Sequence, residues 1–334
     1  MACFVAIISL PTLASGFTVV LARFVPAVGG GWLQPVVAIG LITALMLVNM
    51  FGAKLGARVS TFFTMAKLLP MVVFIVVGLL CIDGELYIPF APKGLSGLGE
   101  ATLLLLYAFN GFEGAVVPAG EMRNPRRAVP IAMVTVMTFV CAVYAAIFLV
   151  TVGTLPEVAG HGKPVAAASE LFMDPAGGLL IGADIVVSVV GTTAASALVG
   201  PRIIFAMAER GDLPAVIARV DERTGAPRVA ILLTFILAVG LTLTATFRDL
   251  VLFAVVARLV QHTSTCLAVL MLRHSLGPAT GFRVPLGPVI PLVAVGLFTW
   301  LVANTAGKEI LDGLIALALG VPFYLVARHR RASR

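Results

Sequence analysis

Charge is what this sequence has least of. Only 12% of its 334 residues are Asp, Glu, Lys or Arg, against 60% that are hydrophobic, and the mean hydropathy reaches +1.08. A soluble domain carries about a quarter charged residues, so the deficit excludes an ordinary globular protein and leaves an integral membrane protein. Cysteine is scarce as well: Cys3, Cys81, Cys141 and Cys266 lie in or beside apolar runs with no CxxC pair, which argues against a zinc or disulfide framework. Catalytic signatures are missing, with no HExxH, no GxSxG, no paired membrane aspartates in a GxGD setting and no His/Cys cluster of metal-ligand spacing. An enzyme is therefore not expected, nor a metal, nor any cofactor. Met1 leads straight into an apolar run with no basic leader and no polar mature segment behind it, so a secretory signal peptide is not expected either.

What the chain does have is apolar runs at close intervals. A helix needs about 20 mostly apolar residues to cross a bilayer core of about 30 Å. That ruler predicts ten spans, near residues 2–22, 34–51, 60–81, 99–118, 129–153, 177–201, 229–246, 250–271, 287–303 and 309–327. The fold class that follows is all-α, a polytopic bundle in a single membrane domain.

Lys and Arg are retained on the cytoplasmic side of a membrane, so their distribution orients the spans. The gaps after spans two, four, six and eight, with the tail after span ten, hold Lys54, Arg58, Arg123, Arg126, Arg127, Arg202, Arg210, Arg219, Arg223, Arg228, Arg273, Arg283, Arg328, Arg330, Arg331 and Arg334. The remaining gaps hold Arg23, Lys93, Lys163, Arg248 and Lys308. The split predicts a cytoplasmic C-terminus in a cell (inner or plasma) membrane. It also accounts for the formal net charge of +7, because the basic residues follow the gaps and lack the aromatic interleaving of a nucleic-acid site. The lipid bilayer is the expected partner, and no nucleic acid is.

Span four is unusual. "YAFNGFEGAVVP" places Asn110, Gly111, Glu113, Gly114 and Pro118 in mid-run. Water is absent from the bilayer core, so backbone freed by such a cluster is tolerated only against protein or a wet cavity. Glu113 precedes Arg123 by ten residues, which sets it about 15 Å deep on a helical rise. An ionisable side chain at that depth marks a functional site, and the competing reading is a Gly-rich packing notch with a protonated Glu.

Taken with "PAGEMRNPRRAVPIAM", "NMFGAKLGARVSTFFTMAKLLP" and "RIIFAMAERGDLP…GAP", this span resembles the amino acid permeases of the amino acid–polyamine–organocation superfamily. The resemblance runs over nearly the whole chain in the right order. It implies two five-helix repeats in inverted orientation, the first helix of each unwound at the substrate site. On that pattern the ten spans match helices three to twelve of a twelve-helix protein: residues 1–81 form a partial first repeat, 99–271 the second, and 287–327 two additional helices. The first broken helix, with its Gly-x-Gly motif, has no counterpart in the chain. Tyr107 matches the family's gating aromatic, and Asn110, Gly111, Phe112, Glu113 and Gly114 its unwound turn. The implied activity is secondary transport of an amino acid or related amine by alternating access, with a coupling proton or an exchanged amino acid as second substrate. A remnant or membrane subunit that keeps the fold without a complete site is the second reading.

Two further spans carry polar stripes. Asp184, Ser188, Thr192 and Ser196 recur at four-residue intervals on span six. Arg258, Gln261, His262 and Thr265 share a face of span eight. Asp184 and Arg258 both lie about eight residues, or about 12 Å, from the outer ends of their spans, which predicts an ion pair between them. Small-residue packing with local hydroxyl-to-carbonyl bonds is the competing reading for the hydroxyls. His262 and Glu113 at similar depth permit a proton relay. Lys67, near the inner end of span three, is expected to snorkel to the headgroups.

Overall fold

A computed structural model describes residues 2–22, 24–90, 94, 97–109, 111, 112, 114, 116, 124–161, 163–276 and 286–303. Nine α-helices and no strand occur among them: α1 (Ala2–Leu21), α2 (Leu33–Met50), α3 (Ala53–Leu79), α4 (Leu98–Ala108), α5 (Pro125–Thr154), α6 (Pro164–Glu209), α7 (Arg228–Thr244), α8 (Phe247–Leu276) and α9 (Val289–Ala303). Each matches one expected span in order. The tenth, 309–327, lies outside the described residues.

Five of these helices, α1, α2, α3, α5 and α6, are long and apolar enough to cross a membrane. α7 and α9 are apolar but shorter. α8 is long enough, yet its sequence includes Arg248, Asp249, Arg258, Gln261, His262 and Arg273, so its composition is that of a helix whose polar face must be covered by protein. Ala254, Ala257 and Leu259 on α8 are buried, and α8 packs beside both α1 and α9.

α1 and α6 form the centre of the bundle. α1 is ringed by α2, α6, α7 and α8, and α6 lies along both α1 and α3. The core at their junction is made of small and aliphatic side chains: Leu10 and Ala14 of α1, Ala38, Ile42 and Leu45 of α2, Ala194 and Ala197 of α6, Ala238 of α7. In lipid there is no hydrophobic drive to bring apolar helices together, so close backbone approach and dispersion do it, and alanine-rich seams permit that approach. Glycine goes further at two points. A Cβ on Gly191 of α6 would stand 2.6 Å from the Cβ of Phe63 on α3. A Cβ on Gly78 of α3 would collide with Val150 of α5 and lie 3.1 Å from the Phe172 ring.

α6 departs from expectation. It begins at Pro164, well before residue 177, and covers 46 residues because two helices meet at Asp174, whose φ of 56° and ψ of −170° are not helical. Pro175 follows and removes the α conformation from the residue before it. The short N-terminal arm, 164–173, is fixed by packing: Phe172 lies 5.5 Å from Phe74 of α3, in a cluster with Val150, Leu155, Ala168 and Ile181.

Hydroxyls in the buried helices are satisfied locally. On α1, Ser9 donates to the Val5 carbonyl at 2.7 Å, Thr12 to Ile8 at 2.7 Å and Thr18 to Ser15 at 2.7 Å. Unsatisfied, each would be costly in a medium without water.

Candidate functional site: the break in α4

α4 stops at Ala108 after 11 residues, a length of about 16 Å that covers half of the hydrocarbon core. Beyond it Gly111 has φ +108°, a region closed to residues with a Cβ. Space is not the reason for glycine there, since nothing lies within 4 Å of where a Cβ would be. The chain then turns in 3₁₀ geometry at Phe112, Gly114 and Val116, with the Gly114 amide donating to the Gly111 carbonyl at 3.0 Å. The expected interruption of span four is therefore present.

Packing holds the end of the half-helix. The Tyr144 hydroxyl of α5 donates to the Ala108 carbonyl at 3.2 Å, one of the acceptors that a helix C-terminus leaves without an intrahelical partner. The same Tyr144 ring meets Phe109 edge to face, with centroids 5.2 Å apart and planes at 67°. Past the break, Phe112 stacks on the His262 imidazole of α8 at 5.6 Å and 17°. Phe298 of α9 covers the imidazole as well, at 6.0 Å and 24°. Three elements distant in sequence thus meet at one imidazole.

A cavity of about 500 Å³ opens beside this stack, walled by Phe109 and Phe112 at the break, Met137 and Cys141 of α5, Arg258, His262 and Cys266 of α8, and Ala294 and Phe298 of α9. Such a volume lies within the usual range for small-molecule sites. The lining is apolar but for a guanidinium, an imidazole, a hydroxyl and two thiols.

The residues singled out in the sequence fall in three places. Gly111, Phe112 and Gly114 form the break, and Tyr107 lies in the last turn of α4. Asn110 and Glu113 lie outside the described residues. Arg258 and His262 line the cavity. Asp184, Ser188 and Thr192 lie on α6 away from it, Thr192 exposed and donating to the Ser188 carbonyl at 2.8 Å.

The expected Asp184–Arg258 pair is not formed. Arg258 Nη2 instead donates to Ser9 Oγ of α1 at 3.0 Å. The cation whose charge reaches Asp184 is Lys67 of α3, and the Asp184 Oδ1 atom is buried without a hydrogen-bond partner among the described residues. Depth along a span fixes height but not rotation about the helix axis, and α8 turns Arg258 toward α1. Lys67 itself is half-buried and within electrostatic reach of Asp184.

Sequence reasoning missed two participants. Ser9 belongs to a run of α1 hydroxyls at three-residue spacing (Ser9, Thr12, Ser15, Thr18), all buried, and that spacing was the available signal. Phe298 lies in a featureless apolar run, and only the packing of α9 brings it to His262.

A half-membrane helix whose broken end borders a cavity is the architecture of a polytopic carrier with a discontinuous helix. Residues 1–319 match the family model described as amino acid permease, and the chain belongs to that family. It is 30% identical over 319 residues to the serine/threonine exchanger SteT of Bacillus subtilis (strain 168), an alignment covering 91% of this chain and 72% of that protein. The methylthioribose transporter of the same organism is 26% identical over 296 residues, covering 88% of this chain and 64% of its own length. The branched-chain amino acid permease BcaP, also from that organism, is 25% identical over 306 residues with the same two shares, 88% and 64%. The chain thus spans somewhat under two thirds of the second and third of these relatives. Family membership and transporter relatives favour the carrier over a remnant.

Proposed function

We propose that the chain carries an amino acid or a related amine across the membrane as a secondary transporter, by alternating access, with the substrate seated at the α4 break. The carrying observation is that break: α4 ends at Ala108 and Gly111 turns the backbone at φ +108° beside a cavity of about 500 Å³. Peptide groups released from a helix within the bilayer core need polar partners, and a zwitterion with an ammonium and a carboxylate offers both kinds. The relatives support the substrate class, since two of the three are named as carriers of amino acids.

In this reading Tyr107 gates the site, residues 110–114 supply backbone groups to the substrate, and Glu113 contributes a proton or an acceptor at mid-membrane depth. Residues 1–81 belong to the first repeat, 99–271 form the second, and 287–327 add two helices. The basic gaps and the C-terminus face the cytoplasm. A coupling proton or an exchanged amino acid accompanies the substrate.

Proteoliposomes holding the purified chain test the proposal. Accumulation of at least one radiolabelled amino acid is expected, and Gly111→Ala and Glu113→Ala should each reduce it at least about tenfold, the loss that small displacements at a binding site bring. Preloading the vesicles with unlabelled amino acid separates exchange from proton coupling. Absence of flux for all twenty amino acids, from a monodisperse preparation, would reject the carrier reading.

A further inference from the structure

Away from the α4 break, the corner where α2 ends and α3 and α7 begin puts positive charge on a face turned to lipid. We infer that this corner binds an anionic phospholipid, its phosphate held by Lys54 and Arg58 and its acyl chains laid along α2. The inference does not depend on what the protein carries.

α3 shows which way the corner faces. Leu55, Arg58, Phe62, Met65, Leu69 and Val72 are all exposed, and they recur at alternating three- and four-residue intervals, which keeps them on one face of the helix. On a helix apolar and long enough to cross a membrane, such a face meets acyl chains. Its charged member is Arg58. The exposed apolar side chains continue to Leu79, so the stretch from Phe62 covers about 26 Å on a helical rise, close to the hydrocarbon thickness of about 30 Å. Arg58 stands about 6 Å beyond that stretch, at headgroup level, and Lys54 one turn further out.

These two cations repel each other at four-residue spacing, and no ion pair engages either of them among the described residues. Other basic side chains at this end of the bundle are already engaged. Arg228, at the start of α7, lies 3.2 Å from Asp221, and Arg202 of α6 donates to the Leu198 carbonyl at 2.6 Å. A phosphodiester between Lys54 and Arg58 would relieve the repulsion, since a guanidinium gives two parallel N–H donors to phosphate oxygens and an ammonium adds a point charge. A zwitterionic headgroup brings its own ammonium, so a lipid of net negative charge is the better match.

The surface beneath suits hydrocarbon. α2 stands beside both α3 and α7, and a Cβ on Gly52 would be 3.0 Å from the Thr224 carbonyl oxygen, which joins the α2–α3 turn to the loop before α7. Gly40, Ala44, Leu47 and Phe51 form the exposed face of α2, low in its middle because nothing lies within 4 Å of where a Cβ on Gly40 would stand. Phe62 of α3 and Leu232 and Ile236 of α7 are exposed as well. An acyl chain on this face gains dispersion contacts with α2 and its neighbours.

The purified full chain in dodecylmaltoside, titrated with dioleoyl phosphatidylglycerol or dioleoyl phosphatidylcholine, tests the inference when native mass spectrometry counts the lipids bound. Phosphatidylglycerol should bind about 25-fold more tightly than phosphatidylcholine, at about fivefold for each cation beside an anionic headgroup. Lys54→Gln and Arg58→Gln should each remove about fivefold, and the double variant should bind the two lipids alike. Lys163→Gln, at the start of α6 on the opposite end of the bundle, should change nothing. The lipid-free melting temperature of each variant should match that of the unmodified chain. Should the double variant fail to fold, salt decides the matter on the unmodified chain: raising NaCl from about 50 to about 500 mM should weaken binding of phosphatidylglycerol and spare that of phosphatidylcholine. Glycerophosphoglycerol, the same headgroup without chains, should not displace the lipid. Equal affinity for the two lipids, salt-insensitive binding, or a folded double variant that holds phosphatidylglycerol as before overturns the inference. Displacement by glycerophosphoglycerol overturns it too, and would assign the corner to a soluble phosphate.

Discussion

At residue scale the break depends on two positions that act for different reasons. Gly111 is required by backbone conformation alone, because a Cβ there has open space yet φ is +108°. Gly111→Ala should therefore destabilise the protein by about 1–3 kcal/mol through strain, read as a lower melting temperature in detergent. Gly240 of α7 is the counter-example: it is helical, and nothing lies within 4 Å of where a methyl group would stand. Gly240→Ala should leave stability unchanged or raise it by up to about 1 kcal/mol. Tyr144 acts by a single bond. Tyr144→Phe keeps the ring against Phe109 and removes the donor to the Ala108 carbonyl, so a loss of about 0.5–1.5 kcal/mol in the same melt is expected.

At the scale of elements, what could be read in the sequence was whatever is local. Hydropathy located the helices, and the cluster of Gly111, Gly114 and neighbours located the interruption, because backbone permissiveness is a property of the residues themselves. Packing partners were not legible. Equal depth suggested that Asp184 and Arg258 would pair, whereas helix rotation, set by the small-residue seams, directs one to the vicinity of Lys67 and the other to Ser9. The N-terminal arm of α6 was missed since Asp174–Pro175 reads as a helix boundary, and only the contact of Phe172 with Phe74 and Gly78 shows why helix continues on both sides. The α3–α6 seam gives an element-level prediction. Gly191→Leu must displace Phe63, whose Cβ would be 2.6 Å from the new one, and overpacking of that kind costs about 1–3 kcal/mol or more. The melting temperature should fall and the monodisperse fraction in size exclusion should shrink.

At the scale of the whole molecule, the loop between α6 and α7 ties distant parts together. Asp221 Oδ2 accepts from the Thr224 amide at 3.0 Å and the Thr224 hydroxyl at 2.8 Å, and lies 3.2 Å from Arg228 Nη2 at the start of α7. Gly52, between α2 and α3, approaches this turn closely enough that a Cβ would be 3.0 Å from the Thr224 carbonyl oxygen. The Thr224 hydroxyl bond above all, then the Thr224 amide and Arg228, hold the Asp221 carboxyl below its ordinary value of 3.8, against a partial opposing effect of desolvation. A lowered carboxylate value stabilises the fold above the unfolded value and loses that contribution as pH falls through the folded one. Asp221→Asn should thus lower the melting temperature near neutral pH, and the gap from wild type should close as pH is taken below 3.8. A gap that persists at the acid end would show that the turn acts through its shape and not its charge.

Phe109 and Phe112 stand on either side of the turn at Gly111, one ring anchored to α5 through Tyr144 and the other to α8 through His262. On the carrier reading proposed above, a torsional change at Gly111 would work against both anchors like a ratchet pawl with two teeth, and whatever occupies the adjoining space would be weighed against the separation of one aromatic pair or the other.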